Sequence, residues 1–398
     1  MEQRTIIGAV IVGAIVVVAV GIVGLTMFAP PPREPGQIRY GGQYYPGEFL
    51  LKGYPDFWDK YNLNVTHTLF ASGAENNEAL LSGTVDVNCG SDTKTISLFN
   101  AAAEGGDIEP LIIGTLQRGD RYSTVIPKDS TITSWTELVG ERIGYRAGTG
   151  ADTIMRRYFA SDPDGLGLSF DDFDWQSMDV ADMAAALQAD QIAAFTAWEP
   201  TPAIAVDQGI GKLLRSYGDV ALVPVSLHTT RSFAEENPDL LIAFLAAHLD
   251  KVEMIKNQKS TAAGYAADAA SDVGSAVSAA AFEDLFERID YTIDFNQSII
   301  DDILATADFL KNELDPPIID AIPTLKYNRS FIEAAEELQK KVSIAKRISD
   351  IDPLDLAAKI ATKHGLTSSS SRLKASFLYS LLQKMQIVMV NFLIEIRF

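Results

Sequence analysis

The sequence predicts an α/β fold in two similar halves, with polar strand tips facing each other across a cleft. Two stretches carry that reading. Residues Ala186 to Pro200 begin as a helix end, since Ala184 to Leu187 are strong helix formers, and pass a polar break at Gln188 to Gln191. Ile192 to Ala197 is then an apolar run of buried-strand length, and it stops at Trp198-Glu199-Pro200. In open α/β sheets, ligands meet side chains at the carboxyl ends of strands. Residues Ala79 to Thr93 repeat the order of helix end, break, strand and polar tip. Laid over the later stretch without a gap, Ala79 falls on Ala186, Leu80 on Leu187 and Ser91-Asp92 on Trp198-Glu199. On identity alone, chance likeness of two βα units explains this equally well. The order of elements along the chain favours a true pair.

Taken in order, Ile38 to Gln43 reads as a strand entering a Gly-rich turn, followed by an amphipathic helix from Glu48 to Tyr61. Leu63 to Phe70 alternates like a strand. Ser72 with Glu75 three residues on forms a capping box for the next helix. Thr93 to Glu104 is helical, and Leu111 to Leu116 is a strand with Gln117-Arg118-Gly119 at its tip. This β-α-β-α-β order implies a largely parallel sheet. Tyr122 to Pro127 is a strand crossing to a second unit. That unit contains a short helix at Trp135 to Leu138 and strands at Arg142 to Arg146 and Phe173 to Met178. The turn Gly148-Thr149-Gly150-Ala151-Asp152 enters a helix from Thr153 to Ala160. Its backbone N–H groups suit an oxygen-rich ligand group, although a plain strand-to-helix turn reads the same. Ala221 to Leu227 returns to the first unit. Helices then dominate: Pro238 to Lys256, an Ala-rich run from Ser260 to Ala281, Asn296 to Leu314 and Arg329 to Gln339.

The 398 residues allow two or three domains, and the net charge of −20 argues against nucleic-acid binding, which needs clustered Lys and Arg. The single cysteine, Cys89, excludes an intramolecular disulfide and a multi-cysteine metal site. Ile6 to Phe28 is almost purely apolar and long enough to span a bilayer. With Arg4 before it, the expectation is an uncleaved single-pass anchor (residues 1–28) with the body outside the cell. A Pro-rich spacer at 29–37 follows. Asn64, Asn296 and Asn328 head N-x-Ser/Thr sequons. Asp171, Asp172 and Asp174 form an acidic loop, read as solvated rather than cation-binding. Lys341 to Phe398 is less acidic than the body and ends in an apolar stretch. It reads as an amphipathic segment for a membrane or partner, or as a frameshift product.

Several short motifs together resemble a known family. They are Ile38 to Gln43, Phe70-Ala71-Ser72-Gly73, Ser82-Gly83-Thr84-Val85-Asp86, Gly90-Ser91-Asp92-Thr93, Ile126-Pro127-Lys128-Asp129-Ser130, Leu138-Val139-Gly140-Glu141-Arg142-Ile143-Gly144 and Trp198-Glu199-Pro200. In this order they resemble the extracytoplasmic solute-binding proteins of ABC importers, in the nitrate/sulfonate/taurine/thiamine-precursor group. The resemblance implies a two-lobed type-2 periplasmic-binding fold with two hinge strands. Lobe 1 would be residues 38–124 and 223–340, and lobe 2 residues 125–222. It implies a monomer that carries a small solute to a permease, without cofactor or metal. It also implies a ligand site: Gln43, Tyr44, Tyr45, Ser91, Asp92, Thr93, Gln117 and Arg118 from lobe 1; Thr149, Gly150, Ala151, Asp152, Trp198 and Glu199 from lobe 2; and His228 near the second hinge.

Two other classes compete. A pyrimidine-synthase family on this fold uses a cysteine cluster and a cofactor lysine, which one cysteine cannot supply. Zinc-protease and nucleophile-elbow motifs are absent from the sequence. A tethered sensor would use the same lobes, but nothing after residue 340 resembles a kinase or cyclase. The ligand's charge is open. The resemblance favours an oxyanion, yet Asp92, Asp152 and Glu199 in the cleft would repel one. Carboxylates with Tyr44, Tyr45 and Trp198 tilt the expectation towards a nitrogen-bearing molecule such as a thiamine-precursor pyrimidine.

Overall fold

The computed structural model describes residues 34–105 and 108–352, with a few positions between 355 and 389. Residues 35–335 form one compact body built on two sheets. The first sheet has the order β2 (Leu63–Phe70), β1 (Gly36–Gln43), β3 (Val87–Ser91), β10 (Val225–Thr230), β4 (Pro110–Gly119), β11 (Ile289–Tyr291). β1 runs parallel to both neighbours, β2 and β3, so the ends of β1 and β3 emerge on the same edge. The helices α1 (Pro46–Gly53), α2 (Asp56–Asp59), α3 (Gly73–Leu81) and α4 (Asp92–Gly105) connect these strands.

The second sheet has the order β7 (Asp174–Ser177), β6 (Arg142–Tyr145), β8 (Ala194–Trp198), β5 (Tyr122–Pro127), β9 (Gly211–Ser216). Its helices are α5 (Gly150–Ser161), α6 (Met183–Gln188) and α7 (Thr201–Asp207). The chain passes from β4 to β5 through Asp120-Arg121 and returns between β9 and β10. Tyr122, Ser123 and Thr124 already pair with Trp198, Ala197 and Thr196 in the second sheet. The division expected after residue 124 therefore falls inside β5.

The two halves match in backbone detail. β3 and β8 are offset by the 107 residues of the ungapped alignment (194 − 87 = 107). The break between helix and strand is built the same way in each. Gly83 takes φ +70° and Asp190, its counterpart, takes +54°. The next N–H returns to the helix in both: Thr84 to the Ala79 carbonyl at 2.8 Å, and Gln191 to that of Ala186 at 3.0 Å. Glycine occupies this left-handed position without strain; aspartate is one of the few other residues to do so. Both strands are wholly buried, as a strand covered on two faces must be.

After β10 come α8 (Arg231–Glu236), α9 (Pro238–Asn257), α10 (Lys259–Asp272), α11 (Ala279–Arg288) and α12 (Gln297–Asp308). α9 covers β1 and β2, α10 packs on α1, and α12 lies on α4, so this helical part mostly clothes the first sheet.

Several local expectations differ from the structure. The helix read over Glu48 to Tyr61 is two helices, because Tyr54 precedes Pro55 and a residue before proline is pushed out of the helical region. The Ala-rich run breaks between α10 and α11, where Gly274 adopts φ +77°. The return strand starts at Val225 rather than Ala221, since Pro224 has no N–H to donate to a ladder. α7 and β9 were not read from the sequence at all.

The described residues from Glu336 onward belong to a second unit. In it Gln386 Nε2 donates to the carbonyls of Ile348, Ser349 and Ile351, closing the end of α13 (Ser330–Ser349). The apolar run Ile6 to Phe28 and most of the stretch after 352 lie outside the described residues. Among the described residues no helix is long and apolar enough to cross a membrane.

Candidate functional site

A small pocket, partly open to solvent, lies between the two sheets. It is lined by Gln43, Tyr45, Gly73, Ser91, Lys94, Tyr122, Thr149, Gly150 and Trp198. Each comes from a strand end or a helix start. Gln43 ends β1, and Tyr45 follows it; the Tyr45 hydroxyl donates to Gln43 Oε1 at 2.7 Å. Ser91 ends β3, and Lys94 sits in the first turn of α4. From the second lobe, Tyr122 and Trp198 are paired across β5 and β8, so their side chains leave the same face of the sheet. Thr149 caps α5: its Oγ1 accepts from Ala151 N at 3.3 Å and donates to the Arg146 carbonyl at 2.7 Å. The start of α5, Thr149 and Gly150, thus lines the pocket, and a helix start favours anions.

Of the expected site residues, Gln43, Tyr45, Ser91, Thr149, Gly150 and Trp198 line this pocket, while Tyr44, Asp92, Thr93, Gln117, Arg118, Ala151, Asp152, Glu199 and His228 do not. Tyr44 lies beside Phe49, 6.0 Å between ring centres. Ala151 and Gln117 are buried, the latter between β10 and β11. Arg118 pairs with Asp290 at 3.1 Å. His228 is fully buried in β10, with Nδ1 2.9 Å from Asn88 Oδ1 and Nε2 3.0 Å from Thr95 Oγ1. Burial pushes its imidazole down to about 3, so it is neutral and structural.

The three carboxylates behind the expectation of a nitrogen-bearing ligand are all engaged elsewhere. Asp92 accepts from Thr306 Oγ1 at 2.7 Å and from Thr93 N at 2.6 Å, and burial raises its carboxyl against those bonds. Asp152 accepts from Arg156 Nε at 2.7 Å and Gly148 N at 2.8 Å. Glu199 accepts from Arg288 and from Ala203 N. None faces the pocket as a free anion, so they do not argue for a cationic or nitrogen-rich ligand.

The one charged side chain in the lining is Lys94, a position the sequence reading did not single out. Among the described residues its ammonium has no hydrogen-bond or ion-pair partner. Burial lowers it below the ordinary lysine range, Arg146 adds to that, and Asp152 opposes it. Gly73 and Gly90 make room for the stem: a Cβ at Gly73 would lie 2.6 Å from Lys94 Cγ, and one at Gly90 3.0 Å from Lys94 Cβ. Gly73 and Tyr122 are the other lining residues outside the expected set. Arg121 Nη2 donates to the Tyr122 hydroxyl at 3.0 Å, and a Cβ on Gly150 would fall 2.0 Å from that oxygen. The sequence signal was indirect: Lys94 follows Gly90-Ser91-Asp92-Thr93, a strand tip already marked as polar.

The remaining chemistry is sparse. Cys89 is buried in β3, and burial pushes its thiol up, away from the reactive thiolate. Asp172 accepts from Ser169 N at 2.7 Å in a turn. Among the described residues no group of three acidic, histidine or cysteine side chains is placed to hold a metal ion.

Comparison with known proteins matches this architecture. A protein named "Putative aliphatic sulfonates-binding protein" from Escherichia coli (strain K12) is 22% identical over 221 residues. That alignment covers 55% of this chain and 65% of the relative's length. Among solved structures, the periplasmic aliphatic sulphonate binding protein SsuA from Escherichia coli superposes with a TM-score of 0.58, covering 72% of this chain and 96% of that one at 22% identity. The alkanesulfonate-binding protein SsuA from Xanthomonas axonopodis pv. citri, bound to MOPS, gives 0.62 over 75% and 100% at 20% identity. The nitrate-binding protein NrtA from Synechocystis PCC 6803 gives 0.59 over 77% and 90% at 16% identity. These likenesses show the periplasmic-binding-protein fold. The sequence pattern of the NMT1/THI5-like family matches residues 52–262, more than half of the chain, and the protein belongs to that family.

Proposed function

We propose that this protein is a solute-binding protein that captures a small organic anion, a sulfonate by preference, between its two lobes and presents it to an ABC importer. The observation that carries the reading is the composition of the pocket wall. Its one charge is the Lys94 ammonium, which faces the capped start of α5, with the Ser91 and Thr149 hydroxyls and Gln43 alongside. Cation, helix start and hydroxyls are the donor set for a tetrahedral oxyanion. Tyr45, Tyr122 and Trp198 give the apolar faces for a short organic tail. The names of the sulfonate-binding relatives support the same choice.

The body is held outside the cell by the apolar run Ile6 to Phe28, and a permease is the receiving partner. Binding proceeds without turnover, since the pocket has no nucleophile paired with a base. The test is differential scanning fluorimetry with ethanesulfonate. The melting temperature should rise with ligand concentration as simple mass action requires, and the sulfonate should be recovered unchanged. Chemical conversion of the sulfonate would place the protein among enzymes instead.

A further inference from the structure

We propose that α11 and α7 form a clasp that holds the two lobes together independently of the ligand and so sets how firmly the pocket retains it. α11 belongs with the first lobe: Phe282 meets Phe49 of α1 edge-on at 6.0 Å, Phe286 meets Tyr291 of β11 at 5.5 Å, and its last residue, Arg288, runs directly into β11. α7 belongs with the second lobe, beside β8, β5 and β9. The two helices are in contact and are joined by hydrogen bonds at both ends.

At one end Arg288 Nη2 donates to Glu199 Oε1 at 2.5 Å. Glu199 is fully buried and also accepts from Ala203 N of α7 at 3.0 Å. Arg288 Nη1 donates to the Asp120 carbonyl in the crossing at 2.9 Å, and its Nε to Asp284 at 3.0 Å. The guanidinium is therefore fixed to the first lobe and the crossing before it reaches Glu199. At the other end Asp207, the last residue of α7, accepts from Ser278 N at 2.8 Å and Ser278 Oγ at 2.6 Å, where Ser278 caps α11. Gln208 Nε2 adds a bond to the Ala276 carbonyl at 3.1 Å.

None of these residues belongs to the pocket lining, yet Glu199 directly follows Trp198, which does. Swinging the lobes apart would separate a buried carboxylate from its guanidinium, which is costly unless water replaces the partner. The clasp thus weights the equilibrium towards closure, and a ligand that binds the closed form gains affinity in proportion to the closed fraction.

The experiment uses the full-length chain and two variants, Arg288→Met and Asp207→Ala. Asp207 is exposed, so its variant tests the clasp without a buried defect. Small-angle scattering of the unliganded proteins should show a larger radius of gyration in both variants. Stopped-flow release of ethanesulfonate should accelerate, with affinity weakened about tenfold if the closed fraction falls to a tenth. Radii equal to wild type, with the variants merely melting earlier, would overturn the clasp and leave these contacts structural. The scattering comparison needs no ligand. If ethanesulfonate fails to bind even the wild type, the solute assignment fails while the clasp is still decided.

Discussion

Replacing Lys94 by Met should separate binding from folding. The methionine keeps most of the stem that packs beside Gly73 and Gly90 and removes only the charge. A sulfonate oxygen about 4 Å from the ammonium would gain about 4 kcal/mol at an effective dielectric of about 20. Desolvation and the remaining donors reduce the net loss to that of a charged hydrogen bond, about 1.5–3 kcal/mol. That corresponds to a roughly 10- to 150-fold rise in Kd. Folding should not suffer. The amine has no hydrogen-bond or ion-pair partner among the described residues, and burial already disfavours its charged form. The unliganded melting temperature should therefore stay level or rise slightly. Isothermal titration with ethanesulfonate measures the first quantity and calorimetric melting the second. Lys94→Arg should recover part of the affinity. Unchanged affinity in Lys94→Met, or a collapse of its melting temperature, would mean that Lys94 does not hold the anion.

Three further outcomes are expected. Gly150→Ala should weaken ethanesulfonate binding by about tenfold or more, because its Cβ would sit 2.0 Å from the Tyr122 hydroxyl and must displace one wall of the pocket; titration of the variant checks this. Acid should destabilise the fold through His228. Its imidazole is held at about 3 against 6.5 when unfolded, so below pH 6.5 the unfolded chain takes up a proton that the folded one refuses. Its contribution to stability then falls by about 1.4 kcal/mol per pH unit down to about pH 3, and urea midpoints from pH 7.5 to 4 should fall less steeply in His228→Gln. Alkaline carbonate should leave the full-length protein in the membrane pellet; a shortened soluble form released without added protease would mean that the Ile6 to Phe28 run is a cleaved signal.

Much of the framework was legible because it rests on local chemistry. Alternation marked Leu63–Phe70 to the residue, the crossing strand Tyr122–Pro127 also fell on its bounds, and the Ser72 cap with Glu75 set the start of α3. The paired strand tips were legible because helix end, turn and buried strand recur at one spacing. The charge of the site was not legible, because it depends on partners far along the chain. Asp92 is satisfied by Thr306 and Glu199 by Arg288, 214 and 89 residues away. Asp152 and Arg156, one helical turn apart, could have been paired from sequence alone. Lys94 read as one more polar residue on a helix face. Only the approach of α5 from the second lobe places the α5 start beside it, and the space left by Gly73 and Gly90 appears only in three dimensions.

The central claim is that the pocket takes an anion. The most direct measurement is a calorimetric titration of the full-length protein and Lys94→Met with ethanesulfonate, nitrate, ethylamine and an aminopyrimidine. Saturable one-to-one binding of ethanesulfonate to the wild type is expected, at least about tenfold weaker in Lys94→Met, with no heat of binding from ethylamine or the aminopyrimidine. Tight binding of the aminopyrimidine, unchanged in Lys94→Met and with ethanesulfonate inert, would contradict that claim.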